Sequence, residues 1–241
     1  SNVITADHNP SKTDALRKNF GCVPGTARQL AETCDLIFIG VKPQTLTAAA
    51  EEIRDILAAR GDSFVLVSMA AGVDTEKLCG LFGQFPVIRI MPNTAAAVGK
   101  GVILYCTGAG VSDDEEESFL KLMQHAGLCV KLEERKIDMG SAITGCGPAF
   151  VYLMMEAMAE AGVRMGLTRD QAVLFSEQTF AGAAQLALET GKELSVLRAE
   201  VCSPGGSTIE GVAALEAGAA RYVIMEAVDA SYKKTKELGK Q

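Results

Sequence analysis

Residues 36–41, LIFIGV, are apolar at every position. A run of that kind reads as a strand covered on both faces, because a strand with one wet face would alternate. The same texture returns at 64–68 and 86–91, and shorter strand patterns fall at 3–7, 101–106 and 128–132. Helical patterns fill the gaps at 12–20, 27–33, 45–60, 74–81 and 113–125, the last led by Asp113, Asp114 and Glu115. Strand and helix alternating in this way predict an α/β fold, a mostly parallel sheet with helices on its faces. After residue 132 the strands stop. Helices are expected over 135–161 (interrupted at Gly140 and at 144–148), 168–190, 194–201 and, as one or two pieces, 209–238. The chain therefore divides into an α/β domain at 1–132 and an all-helical domain at 133–241.

Composition excludes several classes of function. The formal net charge is −7, and nucleic acid as main partner needs a basic face. Seven cysteines are scattered without CxxC spacing, and the two histidines, His8 and His125, lie far apart, so no metal site is expected. Unclustered cysteines in odd number suit a reducing cytoplasm. No apolar run is read as long enough to span a membrane, and no secretory signal pattern opens the chain. Residues 149–161 are nearly apolar all round, relieved by Glu156 and Glu160. Such a helix must be covered, in a core or between subunits.

In parallel sheets ligands sit at the carboxyl ends of the strands. Four strand ends here carry distinctive residues: Asp7-His8-Asn9, Val41-Lys42-Pro43, Met69-Ala70-Ala71-Gly72 and, after Met91, Pro92-Asn93-Thr94. An acid at the first position suits ribose hydroxyls, while His8, Asn9 and nearby Lys12 allow a 2′-phosphate. Lys42 reads equally as a solvated or a functional cation. In the helical half, 201–211 (VCSPGGSTIEG) breaks the helix with Pro204, Gly205 and Gly206 and gathers Ser203, Ser207 and Thr208 before an apolar helix. Ser207 or Thr208 is expected as its N-cap. Backbone N–H groups, hydroxyls and the positive helix end together suit a small carboxylate. A second turn of the same design, Thr144-Gly145-Cys146-Gly147-Pro148, opens another apolar helix. Cys146 has no histidine near it in sequence and reads as a small packing residue rather than a nucleophile. Glu134, at the join of the two halves, reads as a surface acid or as a partner for the amine of a small ligand.

The segments VKPQ (41–44), SMAAG (68–72), RIMPNT (89–94), ITGCGPAFVY (143–152), EQTFAGAAQLALETG (177–191) and SPGGSTIEG (203–211) resemble pyrroline-5-carboxylate reductases, in that family's order and spacing. The resemblance implies a Rossmann-like domain followed by a helical dimerisation domain, with dimers assembling further into rings. It implies reduction of 1-pyrroline-5-carboxylate to L-proline with NADPH or NADH. Asp7, His8, Asn9, Val41, Lys42, Pro43, Met69, Ala70, Ala71 and Asn93 would line the cofactor. Glu134, Thr144, Gly145, Cys146, Gly147, Ser203, Gly205, Gly206, Ser207 and Thr208 would hold the substrate, with Thr208 as the catalytic hydroxyl near the ring nitrogen.

Departures from the family pattern are also expected to matter. The family opens with a strand and a GxGxxG-type phosphate loop, which this sequence lacks. Thr144 and Cys146 stand where serines are common, and Ala27 where relatives often carry an asparagine. The rival readings are a reductase of another imine or hydroxy acid on the same architecture, and a non-catalytic chain that assembles through its helical half.

Overall fold

The computed structural model describes residues 3–239. It contains two compact units. The first runs to Gly145 and takes the chain back from Tyr232, and the second is Cys146–Ser231.

The first unit is built from β1 (Ile4–Thr5), α1 (Pro10–Phe20), β2 (Val23–Pro24), α2 (Ala27–Thr33), β3 (Leu36–Ile39), α3 (Leu46–Ala58), β4 (Val65–Ser68), α4 (Thr75–Phe82), β5 (Val87–Met91), β6 (Gly101–Thr107), α5 (Asp113–Met123), β7 (Gly127–Lys131) and α6 (Glu134–Thr144). Strands β1 and β2 form a parallel pair, and β3 to β7 form a five-stranded sheet in sequence order. Its neighbours are parallel except β5 and β6, which run antiparallel with Arg89 opposite Cys106.

Local sequence explains the helix ends. Asn9 caps α1 ahead of Pro10, and Gly21 closes it in the left-handed region. Thr26 with Gln29 and Ser112 with Glu115 form capping boxes on α2 and α5. Four acids in the first turn of α5 face its positive end.

Period-two alternation assigns the core. Leu66 joins Ile37, Phe82 and the α3 stripe Leu46, Ala50, Ile53 and Leu57 on one face. Val65 and Val67 join Ile88, Ile90, Ile103, Tyr105 and Phe119 on the other. Ile137 of α6 packs with Leu104 and Cys106 of β6, so α6 lies with the sheet, on the other side of the boundary read at 132/133. Arg60, just past α3, ties the end of α2 to the loop before β4: it donates to the carbonyls of Ala31 and Cys34, pairs with Asp62 and stacks over Phe64.

The second unit contains α7 (Gly147–Arg164), α8 (Arg169–Thr190), α9 (Leu194–Val201), α10 (Ser207–Ala217) and the larger part of α11 (Ala220–Leu238). Helices α7 and α8 pack closely because Gly162 meets Ala172 without a side chain between them. Ser176 Oγ donates to the Met155 carbonyl at 2.8 Å. Little else in this unit is covered: α7 buries Ala159 and Gly162, α8 buries Ala172 and Ser176, and α9 and α10 bury none of their residues.

Three sequence expectations need correction, the first being the helix break expected at Gly140, since α6 runs through that residue without interruption. The helical stretch Glu134–Arg164 does contain an 18-residue window of membrane-spanning composition, with a mean hydropathy of 1.3. It is divided between α6 and α7, and α6 packs on the sheet. The N-cap of α10 is Gly206, with no side-chain cap, rather than Ser207 or Thr208. The glycine holds the extended cap conformation, which places both hydroxyl residues inside the first turn.

Candidate functional site

The strand ends of the first unit carry the candidate cofactor residues. Asp7 follows β1. Its Oδ1 accepts the Asn9 N–H at 2.8 Å, and its Oδ2 accepts from Lys12 Nζ at 3.2 Å. The backbone bond first, then Lys12, holds the carboxyl below its ordinary value. After β3, Lys42 precedes a short 3-10 turn at Pro43–Thr45, and its carbonyl accepts the Thr45 N–H and hydroxyl. Val41 packs against the core. After β4, Met69 lies beside Gly40, Ala70 points into the core, and the turn ends at Gly72 with φ 73°. A side chain at Gly72 would strike the backbone of Thr235 and Gly239. Glycine is required there both by the left-handed backbone and by that approach.

The donor set at this edge suits a nicotinamide dinucleotide. After β1 an acid and a cation offer an acceptor and a donor of the kind an adenosine ribose needs, a proline ring fixes the backbone after β3, and the β4 turn carries only small side chains from Ala70 to Gly72.

The end of β5 is tied to α6 at two points. Arg89, 2% exposed, bonds Asp138 through Nη2 and lies 3.7 Å from Glu134 through Nη1. Glu134 accepts the Thr75 N–H at 2.7 Å and the Thr75 hydroxyl at 2.8 Å, joining the first turn of α4 to that of α6. At the other end, Asn93 Nδ2 donates to the Thr144 carbonyl at 2.9 Å, and its Oδ1 accepts the Val102 N–H at 3.1 Å. The structure thus brings Asn93 and Thr144 together and commits both oxygens of Glu134 to Thr75. Thr144 Oγ1 is buried with no hydrogen-bond partner among the described residues. Sequence reading missed Arg89, Asp138 and Thr75. A charge inside the apolar strand 86–91 was the available signal, since a buried arginine needs carboxylates.

Within the second unit, Cys146 is the N-cap residue of α7 without a side-chain bond, and its carbonyl accepts the Ala149 N–H. In the other loop Gly205 takes φ 67°, and the Gly206 N–H closes a turn on the Ser203 carbonyl. Ser207 and Thr208 sit exposed in the first turn of α10, and neither hydroxyl serves as its cap.

A parallel-dominated sheet with this chemistry along its strand ends, in one chain with a helical unit, defines the class: a nicotinamide-dinucleotide oxidoreductase. A family model described as pyrroline-5-carboxylate reductase dimerisation matches residues 134–238, and one described as NADP oxidoreductase, coenzyme F420-dependent, matches 1–72. The chain is 36% identical to the Arabidopsis thaliana pyrroline-5-carboxylate reductase over 237 residues, covering 98% of this chain and 85% of that protein. With the Corynebacterium melassecola enzyme the identity is 35%, covering 99% and 89%. Among solved structures, the Coxiella burnetii pyrroline-5-carboxylate reductase superposes with a TM-score of 0.88 at 33% identity, covering 99% of this chain and 88% of that one. The Plasmodium falciparum enzyme, solved with NADP bound, gives 0.85 at 30% identity, covering 92% and 84%. The chain belongs to the pyrroline-5-carboxylate reductase family.

Proposed function

We propose that this chain reduces 1-pyrroline-5-carboxylate to L-proline, the last step of proline biosynthesis, using NADPH or NADH. The observation that carries this reading is the near-full-length identity to reductases of that name, joined to a strand-end edge whose residues suit the dinucleotide. The bound dinucleotide supplies a hydride to the imine carbon.

The residues of each unit have separate tasks. In the first unit, Asp7, His8 and Asn9 read the adenosine ribose, and Val41, Lys42, Pro43, Met69, Ala70 and Ala71 line the cofactor. Asn93 stands at the nicotinamide end and fixes the Thr144–Gly145 turn through its bond to the Thr144 carbonyl. Glu134 acts through α6, which it holds against α4. In the second unit, the N–H groups and hydroxyls of Ser203, Gly205, Gly206 and Ser207 take the substrate carboxylate, favoured by the positive end of α10. Cys146 and Gly147 shape the other turn. The Thr208 hydroxyl faces the imine nitrogen as hydrogen-bond partner or proton relay. A protonated imine already attracts hydride, so positioning supplies most of the acceleration.

The reading also includes a homodimer in a cytoplasmic setting. The dimerisation match and the uncovered apolar side chains of the helical unit support the first. Seven cysteines, all free, support the second.

The test is NADPH or NADH oxidation driven by pyrroline-5-carboxylate, with proline identified by chromatography. Turnover is expected, and Thr208→Ala should lower kcat about a hundredfold with little change in melting temperature. A folded wild-type chain that makes no proline overturns the assignment.

A further inference from the structure

The turn after β4 is weakly held by its own hydrogen bonds. The Met69 N–H reaches the Ile39 carbonyl at 3.3 Å, the Ala70 N–H reaches Ser68 Oγ at 3.3 Å, and the Val73 N–H reaches the Ala70 carbonyl at 3.4 Å. All three are longer than about 3.2 Å, the ordinary upper limit for an N–H donor. Two later segments of the first unit hold the turn from outside. On one side Thr75 gives its N–H and its hydroxyl to the two oxygens of Glu134 at 2.7 and 2.8 Å. The helix start there is firm, because Asp74 Oδ1 caps α4 by accepting the Lys77 N–H at 2.8 Å.

On the other side the end of α11 lies on Gly72, backbone against backbone. A Cβ on Gly72 would stand 2.8 Å from the Gly239 Cα and N and from the Thr235 carbonyl oxygen, and a Cβ on Gly239 would run into the Gly72 carbonyl. Both obstacles are main chain, so neither yields to a change of rotamer. Gly239 does not take the left-handed conformation that usually calls for glycine at a helix end, so the close approach is what requires it. The Gly239 N–H continues the helix to the Thr235 carbonyl at 3.2 Å, and Lys77 Nζ reaches the Gly239 carbonyl at 3.4 Å.

The turn held in this way carries Met69, Ala70 and Ala71, read above as lining the cofactor. Resting on that reading, the geometry points to the end of α11 as a brace for the cofactor site. Gly239, seated on Gly72, is a positioning residue, and Thr75 is its counterpart on the α6 side. The surface offered to the dinucleotide is thus shaped by residues outside the turn, one of them more than 160 positions away in sequence. The leverage is large, since a displacement of about 1 Å in a positioned group can cost as much as a hundredfold.

The test sets NADPH affinity, measured by calorimetry on the full chain, beside turnover and melting temperature. Gly239→Ala should raise both the Kd and the KM for NADPH about tenfold, with the KM for pyrroline-5-carboxylate changed less than about twofold. Its melting temperature should stay within about 3 °C of wild type. Thr75→Val should weaken NADPH about threefold, as one hydrogen bond is lost, and Thr75→Ser should restore it. A chain ended after Lys234 removes the brace without a clash and should weaken NADPH as Gly239→Ala does. If the shortened chain does not fold, Gly239→Ala decides alone. An unchanged NADPH Kd in Gly239→Ala or in the folded shortened chain, with or without a fall in melting temperature, overturns the brace and leaves the cofactor edge standing. A wild-type chain that binds neither NADPH nor NADH overturns the edge itself.

Discussion

Strand β4 in the sheet unit is buried at all four positions, and β5 at four of its five. Helix α8 in the helical unit is 22 residues long and buries two of them, while Leu188 on its surface is 80% exposed. Both regions are rich in aliphatic side chains, yet only one has somewhere to put them. The sheet unit hides its apolar surface within one chain, at roughly 1.5–3 kcal/mol for each large side chain fully covered. The helical unit leaves Leu153, Leu194 and Met225 in water and needs a second copy to gain the same benefit. A damaged residue should therefore act on stability in the first region and on assembly in the second.

The sharpest test of this contrast is Arg89→Leu. It strands the buried carboxylate of Asp138, while Glu134 keeps its bonds to Thr75, and a buried pair broken on one side costs about 3–5 kcal/mol. Urea unfolding should show that loss, and a cost under about 1 kcal/mol would contradict the account of this pair. The matching change in the other region is Leu153→Asp with Leu188→Asp. Sedimentation should show the assembly falling to the 25.4 kDa chain, with the unfolding free energy of the sheet unit within about 0.5 kcal/mol of wild type. An unchanged mass would break the comparison.

The smallest effect belongs to Glu116, which accepts from Lys131 Nζ at 2.6 Å and from the Tyr105 hydroxyl at 2.8 Å. Lys131 chiefly, with Tyr105, lowers its pKa from the ordinary 4.5, against the effect of burial. A carboxylate depressed in the folded state contributes stability that is complete above 4.5 and is lost as pH falls through the folded pKa. Lys131 is half exposed, so the wild type should lose less than about 1 kcal/mol over that interval. Glu116→Gln should not show this loss when urea midpoints near pH 6 and pH 3 are compared. Equal acid sensitivity in both proteins would dismiss the pair.

The sheet was legible in its continuous apolar runs: VLVS at 65–68 is buried at every position, whereas LIFI at 36–39, at the edge of the sheet, is fully buried only at Ile37 and Ile39, so the double cover expected of it is not complete. The pairing of Val23 with Ile4 was not legible, since two residues carry no periodicity. The antiparallel turn into β6 could have been read from the length of residues 92–100. A parallel return needs a crossover of a dozen residues or more, and this stretch holds only a short 3-10 turn. At the site, the loops around Gly145 and Gly205 stood out through their glycines and hydroxyls. The Arg89, Asp138 and Glu134 cluster did not, because Arg89 lies on β5 and the two acids, four residues apart, lie on α6, and only the fold brings these two elements together. The α10 cap was misread because serine and threonine are favoured as caps, but Gly206 already holds the required extended conformation.

The chain enters the helical unit from α6 and returns from it along α11, so both ends of that unit are rooted in the sheet unit. The closing root is intimate: the backbone near Thr235 and Gly239 lies against Gly72, and Lys77 Nζ reaches the Gly239 carbonyl. In polymer terms the helical unit is a long loop with two fixed ends, and the entropy of closing such a loop grows only slowly with its length. A protease that nicks the loop once produces two fragments, each still built into the same folded body. They would travel together through a sizing column and separate only in denaturant, so the molecule tolerates a broken backbone in the region that is least covered.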